Sequence, residues 1–324
     1  MKTAHRIAAV LALFGCVLAP AQAQDPSRFP ERAIRLVVPF AAGGPTDVMA
    51  RLVAAKMAEA MGQQVVVENR VGAGGTIAAA DVAKSAPDGN TLMFHNVSTA
   101  AINLHLYKKL PYDPVKNFTP IANLVEGFTF IGAHPSLPAT TIPELVKLAR
   151  EKPGTINFAT SGVGTYGHFA GELLKIAAGA DLKHVPYRGS GPAMNDLAAG
   201  HVQLMVAGEL VELAKAGKIR VLATTNERRW YELPDVPSLK ELGFPQFTVH
   251  SWIALLGPAG MPAAVTARLN AAAGKMLEDP KNLEQLKVLG VLPVFSTPEG
   301  LGKQIAADRE AYAKVAATAG LKFD

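Results

Sequence analysis

The chain has 324 residues and one cysteine, with 32 lysines and arginines against 27 acids, a formal net charge of +5. One cysteine excludes an internal disulfide and a cysteine-built metal cluster. The mild basic excess, without a Lys/Arg stripe interleaved with aromatics, excludes a nucleic-acid footprint. The length suits two domains of ordinary size.

The first residues read as an export leader. Lys2 and Arg6 precede an apolar run over 7–19, and Ala21-Gln22-Ala23 supplies small residues for cleavage after Ala23. Such a leader sends the mature chain to the periplasm. Leu13-Phe14-Gly15-Cys16 leaves a second reading open, lipid attachment at Cys16.

Beyond the leader, a strand over 34–40 runs into a glycine-rich elbow, and a helix over 47–61 follows. Met49, Leu52, Val53, Met57, Ala60 and Met61 share one face of that helix. Thr46 is its expected N-cap and Gly62 its stop. A helix start exposes N–H groups without internal partners and carries partial positive charge. Gly43 and Gly44 let a ligand approach that backbone, so the elbow is built like an anion cradle. A strand over 65–68, a turn Gly72-Ala-Gly-Gly75, a helix over 76–85 and a strand over 91–95 come next.

A second set begins with a strand over 128–133 and a helix over 142–151, stopped by Lys152-Pro-Gly154. A strand over 156–159 enters another elbow, Thr160-Ser-Gly-Val-Gly-Thr-Tyr-Gly-His168, with a helix over 169–177 behind it. A strand over 184–186 ends in Tyr187-Arg-Gly-Ser190. A helix over 194–199, a strand over 203–206, a short helix over 211–216 and a strand over 219–224 complete the set. An apolar run over 247–256 and helices over 262–278 and 298–317 close the chain. Repeated strand–helix–strand order predicts two α/β lobes with mostly parallel sheets covered on both faces. The chain is expected to cross between lobes near 123–130 and return near 246–254, which allows a hinge. Ligands on such sheets sit beyond the C-terminal strand ends, where 40–46 and 95–99 fall.

Gly162-Val-Gly-Thr-Tyr-Gly167 matches the dinucleotide fingerprint literally. The acid that should end the next strand is displaced to Asp181, before that strand, and an exported protein rarely meets free NAD. A second elbow that receives an anion is the better reading, and no cofactor is expected. Gly72–Gly75 is either a third cradle or only a tight strand–helix junction. Ser161 and Ser190 sit in glycine-rich turns, so an exported serine hydrolase with His168 or His95 as base stays open as a second class. Hydroxyls in such turns more often cap helices or bind ligand oxygens. The eight histidines are scattered without metal-site spacing. His134, His184, His201 and His250 are expected to be structural or solvated, whereas His95 and His168 fall where each can donate to an anion. Asp47 can steady the helix dipole or accept from the elbow's own N–H groups. Arg188 can pair with a ligand carboxylate or form a solvated or inter-lobe ion pair.

An ordered series of motifs resembles one family, the extracytoplasmic solute receptors of tripartite tricarboxylate transporters, or Bug-type receptors. It runs from Val38-Pro-Phe-Ala-Ala-Gly-Gly-Pro-Thr-Asp-Val-Met-Ala-Arg51 and Val67-Glu-Asn-Arg-Val-Gly-Ala-Gly-Gly-Thr76 through Ala86-Pro-Asp-Gly89 and His134-Pro-Ser-Leu-Pro138. Ser161-Gly-Val-Gly-Thr165, His168-Phe-Ala-Gly-Glu172 and His184-Val-Pro-Tyr-Arg-Gly-Ser190 continue it. Lys215-Ala-Gly-Lys218, Leu233-Pro-Asp-Val-Pro237 and Gly257-Pro-Ala-Gly-Met-Pro262 complete it.

The resemblance implies a type II periplasmic-binding-protein fold, two α/β lobes joined by a two-strand hinge. Lobe 1 is expected over 24–126 plus 250–324 and lobe 2 over 127–249. It implies a monomer that closes on a small carboxylate and delivers it to a two-component membrane permease, or, with the same site, a sensor serving a signalling partner. Lobe 1 is expected to supply Phe40, Ala42, Gly43, Gly44, Thr46 and Asp47, with Asn96, Ser98 and Thr99. Lobe 2 is expected to supply Ser161, Gly164, Thr165 and His168, then Tyr187, Arg188 and Gly189, and Gly208 in the segment after Met205. That segment departs from the family. Many relatives carry Met-Phe-Asp-Asn where this chain has Met205-Val-Ala-Gly-Glu209, so the usual acid is absent or shifted to Glu209. Loss of that acid points to a plain aliphatic or aromatic mono- or dicarboxylate rather than an amino acid.

Overall fold

The computed structural model describes residues 28–245 and 250–319. The leader, its cleavage site after Ala23 and Cys16 lie outside the described residues. Among the described residues, no helix is long and apolar enough to cross a membrane.

The first half of the chain runs β1 (Ile34–Val38), α1 (Pro45–Met61), β2 (Val65–Asn69), α2 (Thr76–Val82) and β3 (Thr91–Asn96). A π-helical turn over Ser98–Ile102, α3 (Asn103–Leu106) and the long β4 (Phe118–Gly127) follow. The middle runs β5 (Phe130–Ala133), α4 (Ile142–Glu151), β6 (Ile156–Thr160), α5 (Tyr166–Ala178) and β7 (Leu182–Pro186). It continues with α6 (Ser190–Ala199), β8 (Leu204–Ala207), α7 (Val211–Lys215) and β9 (Arg220–Thr224). The last part returns as β10 (Ser251–Pro258), α8 (Ala263–Gly274), α9 (Pro280–Val288), β11 (Val291–Pro293) and α10 (Pro298–Ala319).

Two sheets result. The first lobe carries six strands in the order β11-β4-β10-β3-β1-β2, and the second carries five in the order β7-β6-β8-β5-β9. The expectation of mostly parallel sheets is corrected. β1 lies parallel to β2 and β3, and β6 parallel to β7 and β8, but β10 and β5 run antiparallel to both their neighbours. The physical reason is the lobe crossing. β5 and β10 enter their sheets from the opposite lobe rather than over a crossover helix, so nothing forces them parallel. At the crossing Ser251 of β10 pairs with Gly127 of β4. Just beyond, Thr129 N–H donates to Asn226 Oδ1 at 3.1 Å and Asn226 Nδ2 donates to Gly127 O at 3.1 Å.

Apolar faces lock each lobe. Met49, Val53 and Met57 of α1 pack with Leu36 and Val38 of β1 and with Leu269 of α8. In the second lobe Phe128, Phe130 and Trp230 form an aromatic wedge, with Phe128 and Trp230 ring centres 4.8 Å apart. β10 is pinned from behind by α10, where Trp252 Nε1 donates to buried Asp308 Oδ2 at 2.6 Å.

Candidate ligand-binding site

α1 begins two residues earlier than its apolar periodicity suggests. Pro45 takes the first helical position and Gly44, not Thr46, is the N-cap. Proline fits there because its fixed φ is helical and the N–H it lacks would have no partner anyway. Thr46 and Asp47 then present first-turn N–H groups that have no acceptor within the helix. Gly62 ends the helix in the left-handed region at φ 68°, as expected.

α5 likewise starts at Tyr166, capped by Thr165, whose hydroxyl accepts from His168 N–H. α6 starts at Ser190 behind Gly189, four residues before the predicted helix. These three helix starts open onto one cavity of about 270 Å³ between the lobes. Its first-lobe wall is Phe40 to Thr46 with Met49, Asn96 and Val97. Its second-lobe wall is Ser161 and Thr165–Gly167, then Arg188–Pro192 and Val206–Glu209. The floor is made by the crossing strands, Gly127–Thr129 and Ser251–Ile253, with Leu289 and Val291 at one side.

Phe40, Ala42, Gly43, Gly44, Thr46, Asn96, Ser161, Thr165, Arg188, Gly189 and Gly208 therefore lie together on the cavity wall. Six of the residues expected there do not. Asp47 is 1% exposed, and its carboxylate is consumed inside the elbow. It accepts from Gly43 N–H at 2.9 Å, Asn69 Nδ2 at 2.8 Å and Arg51 Nε at 2.8 Å. Burial works against its charge, but these hydrogen bonds outweigh burial and hold the carboxyl below its ordinary value. Asp47 shapes the cradle and takes up Gly43's donor.

Ser98 and Thr99 are fully buried in the π-helical turn. Thr99 Oγ1 meets His95 Nδ1 at 2.8 Å, and Thr99 N–H donates to Asn96 Oδ1 at 3.1 Å, which orients Asn96. His95 is itself sealed behind the wall, edge-on to Phe118. Burial and the charge of Arg309 push its pKa down to about 3. His168 also sits behind its elbow. Its Nδ1 accepts from Gly164 N–H at 3.2 Å and its ring stacks on His184 at 3.9 Å. Burial, then His184 and Lys175, lower its pKa to about 3, so it is a neutral prop rather than a cationic donor. Gly164 faces Tyr107 instead of the cavity. Tyr187 turns its hydroxyl to Asp196 Oδ2 at 2.6 Å.

Sequence reasoning missed the floor strands and the first turn of α6. Pro192 three residues after Gly189 was the available signal for an early helix start. Of the two expectations for the family's usual acid, absent or shifted to Glu209, the structure places Glu209 on the cavity wall. Ser190 Oγ donates to Glu209 Oε1 at 3.3 Å. Neither Ser161 nor Ser190 is hydrogen-bonded to a histidine among the described residues, and no histidine lines the cavity. Gly72–Gly75 is not on the wall; it packs against the second lobe, with Gly74 facing the backbone of Val163 and Gly164.

The sequence profile of the tripartite tricarboxylate transporter family receptor matches residues 49–320. The chain belongs to this family. Among this receptor's relatives, the protein BugT of Bordetella pertussis is 32% identical over 321 residues, covering 98% of each chain. A Rhodopseudomonas palustris protein solved with adipate superposes at TM-score 0.85 with 35% identity, over 91% of this chain and all of the other. MatC of the same genus and species, solved with bound malate, gives TM-score 0.83 with 34% identity over 89% and 99% of the two chains.

Proposed function

We propose that this receptor, exported to the periplasm by its leader and working as a monomer, captures a small mono- or dicarboxylate, aliphatic or aromatic, between its lobes. It then delivers that ligand to the two-component permease of a tripartite tricarboxylate-type transporter. One observation carries the reading: three helix N-termini, at Gly44, Thr165 and Gly189, converge on a single cavity whose remaining wall is largely apolar. Helix starts favour anions by about 0.3–1 kcal/mol each, and more when partly buried. The apolar wall of Met49, Phe128, Trp252, Leu289 and Val291 suits a carbon skeleton more than a phosphate. The adipate and malate bound by similar proteins support the same class.

Transport needs a reversible grip. A ligand that touches both lobes binds the closed state better than an open one and shifts the population toward closure. The test is a thermal-shift screen of carboxylates on leader-free protein, followed by calorimetry. One equivalent of acid should bind, raise the melting temperature and be recovered unchanged. Turnover of an ester or amide that Ser161→Ala or Ser190→Ala abolishes would replace this reading with the hydrolase.

A further inference from the structure

Among the described residues, only two charged side chains line the cavity, Arg188 and Glu209. Arg188 is exposed at the rim, whereas Glu209 is half-buried in the second-lobe wall. The hydrogen bond that holds the Glu209 carboxylate comes from a neutral group, the Ser190 hydroxyl, at 3.3 Å. No lysine or arginine is paired with it among the described residues. A carboxylate has about four acceptor positions, so this one keeps spare capacity toward the cavity. A shielded anion without a counter-cation is costly, and a donor from outside relieves that cost.

The opposite wall has the other polarity. There the start of α1, Gly44 to Thr46, lines the cavity with the positive end of the helix, and Asp47's own charge is consumed by Arg51. The cavity therefore has an anion-accepting end in the first lobe and a donor-seeking end in the second. We propose that Glu209 determines specificity, selecting carboxylates that also carry a hydrogen-bond donor, an ammonium or a hydroxyl, over plain acids. This rests on the cleft being a carboxylate site, and it reverses the preference for plain acids expected from the sequence. A second ligand carboxylate facing Glu209 brings two anions together unless one retains a proton.

Calorimetry with matched acids tests it. Succinate, malate and aspartate differ in a single substituent, as do glutarate, 2-hydroxyglutarate and glutamate, and adipate with its 2-hydroxy and 2-amino derivatives. At the chain length that fits, the donor-bearing acid should bind about tenfold or more tighter than its plain partner. Glu209→Gln keeps the shape and removes the charge, and Glu209→Ala removes the group. Both should bring the pair to within about threefold while the melting temperature of the empty protein stays close to wild type. Equal or tighter binding of the plain acid by wild type, or an unchanged ratio in both variants, overturns the assignment. Tighter plain diacid binding with proton uptake, seen as heats that change with buffer, also overturns it, since Glu209 then shares a proton with a second carboxylate. Failure of wild type to bind any acid, aromatic ones included, instead removes the carboxylate reading and this inference with it.

Discussion

At the level of single residues, the first-lobe cradle is made of backbone, and side chains decide only its shape. Asp47 ties Gly43, Asn69 and Arg51 into one knot, so the loop is held before any ligand arrives. Gly44 sits in extended backbone at φ −77°, which any residue adopts, and its missing side chain leaves room on the cavity wall. A β-carbon there would approach only Ala41 O, at 3.3 Å. Gly44→Val should therefore fold with nearly wild-type stability and yet bind carboxylate about tenfold or more weakly, since one lost hydrogen bond to a charged group costs about 1.5–3 kcal/mol. Thermal melting and calorimetry on the same preparation read the two effects separately. A variant that binds as wild type places the carboxylate away from this elbow.

Element boundaries show what the sequence could and could not reveal. α4 is found at its predicted residues because Thr141 caps it, accepting from Glu144 N–H, and because it has a strong apolar stripe. α1, α5 and α6 all begin two to four residues early, at Pro45, Tyr166 and Ser190. First-turn positions need no helix propensity, since their N–H groups go unbonded, so Pro, Gly and Ser there read as loop. Those first turns line the cavity, so the part of the site least legible as secondary structure was legible only as glycine-rich motif. Strand direction was illegible for another reason: nothing local marks β5 and β10 as arriving from the other lobe. The attachment of β10 to α10 adds a titratable contact. His250 Nε2 lies 3.2 Å from Asp308 Oδ1, and that partner raises the histidine's pKa. The stability it adds is complete below the unfolded value of about 6.5 and fades as pH rises through the raised folded value. His95, His168 and His184, lowered to about 3, 3 and 4, stay neutral across that range. The melting-temperature difference between wild type and His250→Gln should thus shrink from pH 5.5 to 8.5, as followed by circular dichroism. Parallel profiles would show that the pair contributes no pH dependence.

For the molecule as a whole, glycines let the backbones of the two lobes come into close contact at two places. Gly74 of the first lobe lies against Val163 O and Gly164, and Gly290, after α9, lies against Gly208 O. The Gly290 carbonyl also accepts from Phe128 N–H at 3.2 Å, at the crossing itself. A β-carbon at Gly290 would fall 2.5 Å from the Gly208 carbonyl oxygen, a distance no closed arrangement tolerates. Gly290→Ala should therefore hold the lobes apart and weaken ligand binding. Its φ of +70° also strains alanine by about 1–2 kcal/mol in any state. Gly62 supplies the control, with φ +68° and nothing within 4 Å of the place a β-carbon would take. Gly62→Ala and Gly290→Ala should lose similar stability, but only the second should lose affinity, by about tenfold if opening is favoured by about 1.4 kcal/mol. Small-angle scattering should then show a larger radius of gyration for liganded Gly290→Ala than for liganded Gly62→Ala. Equal affinities and equal radii would mean that this glycine contact can relax without opening the cleft.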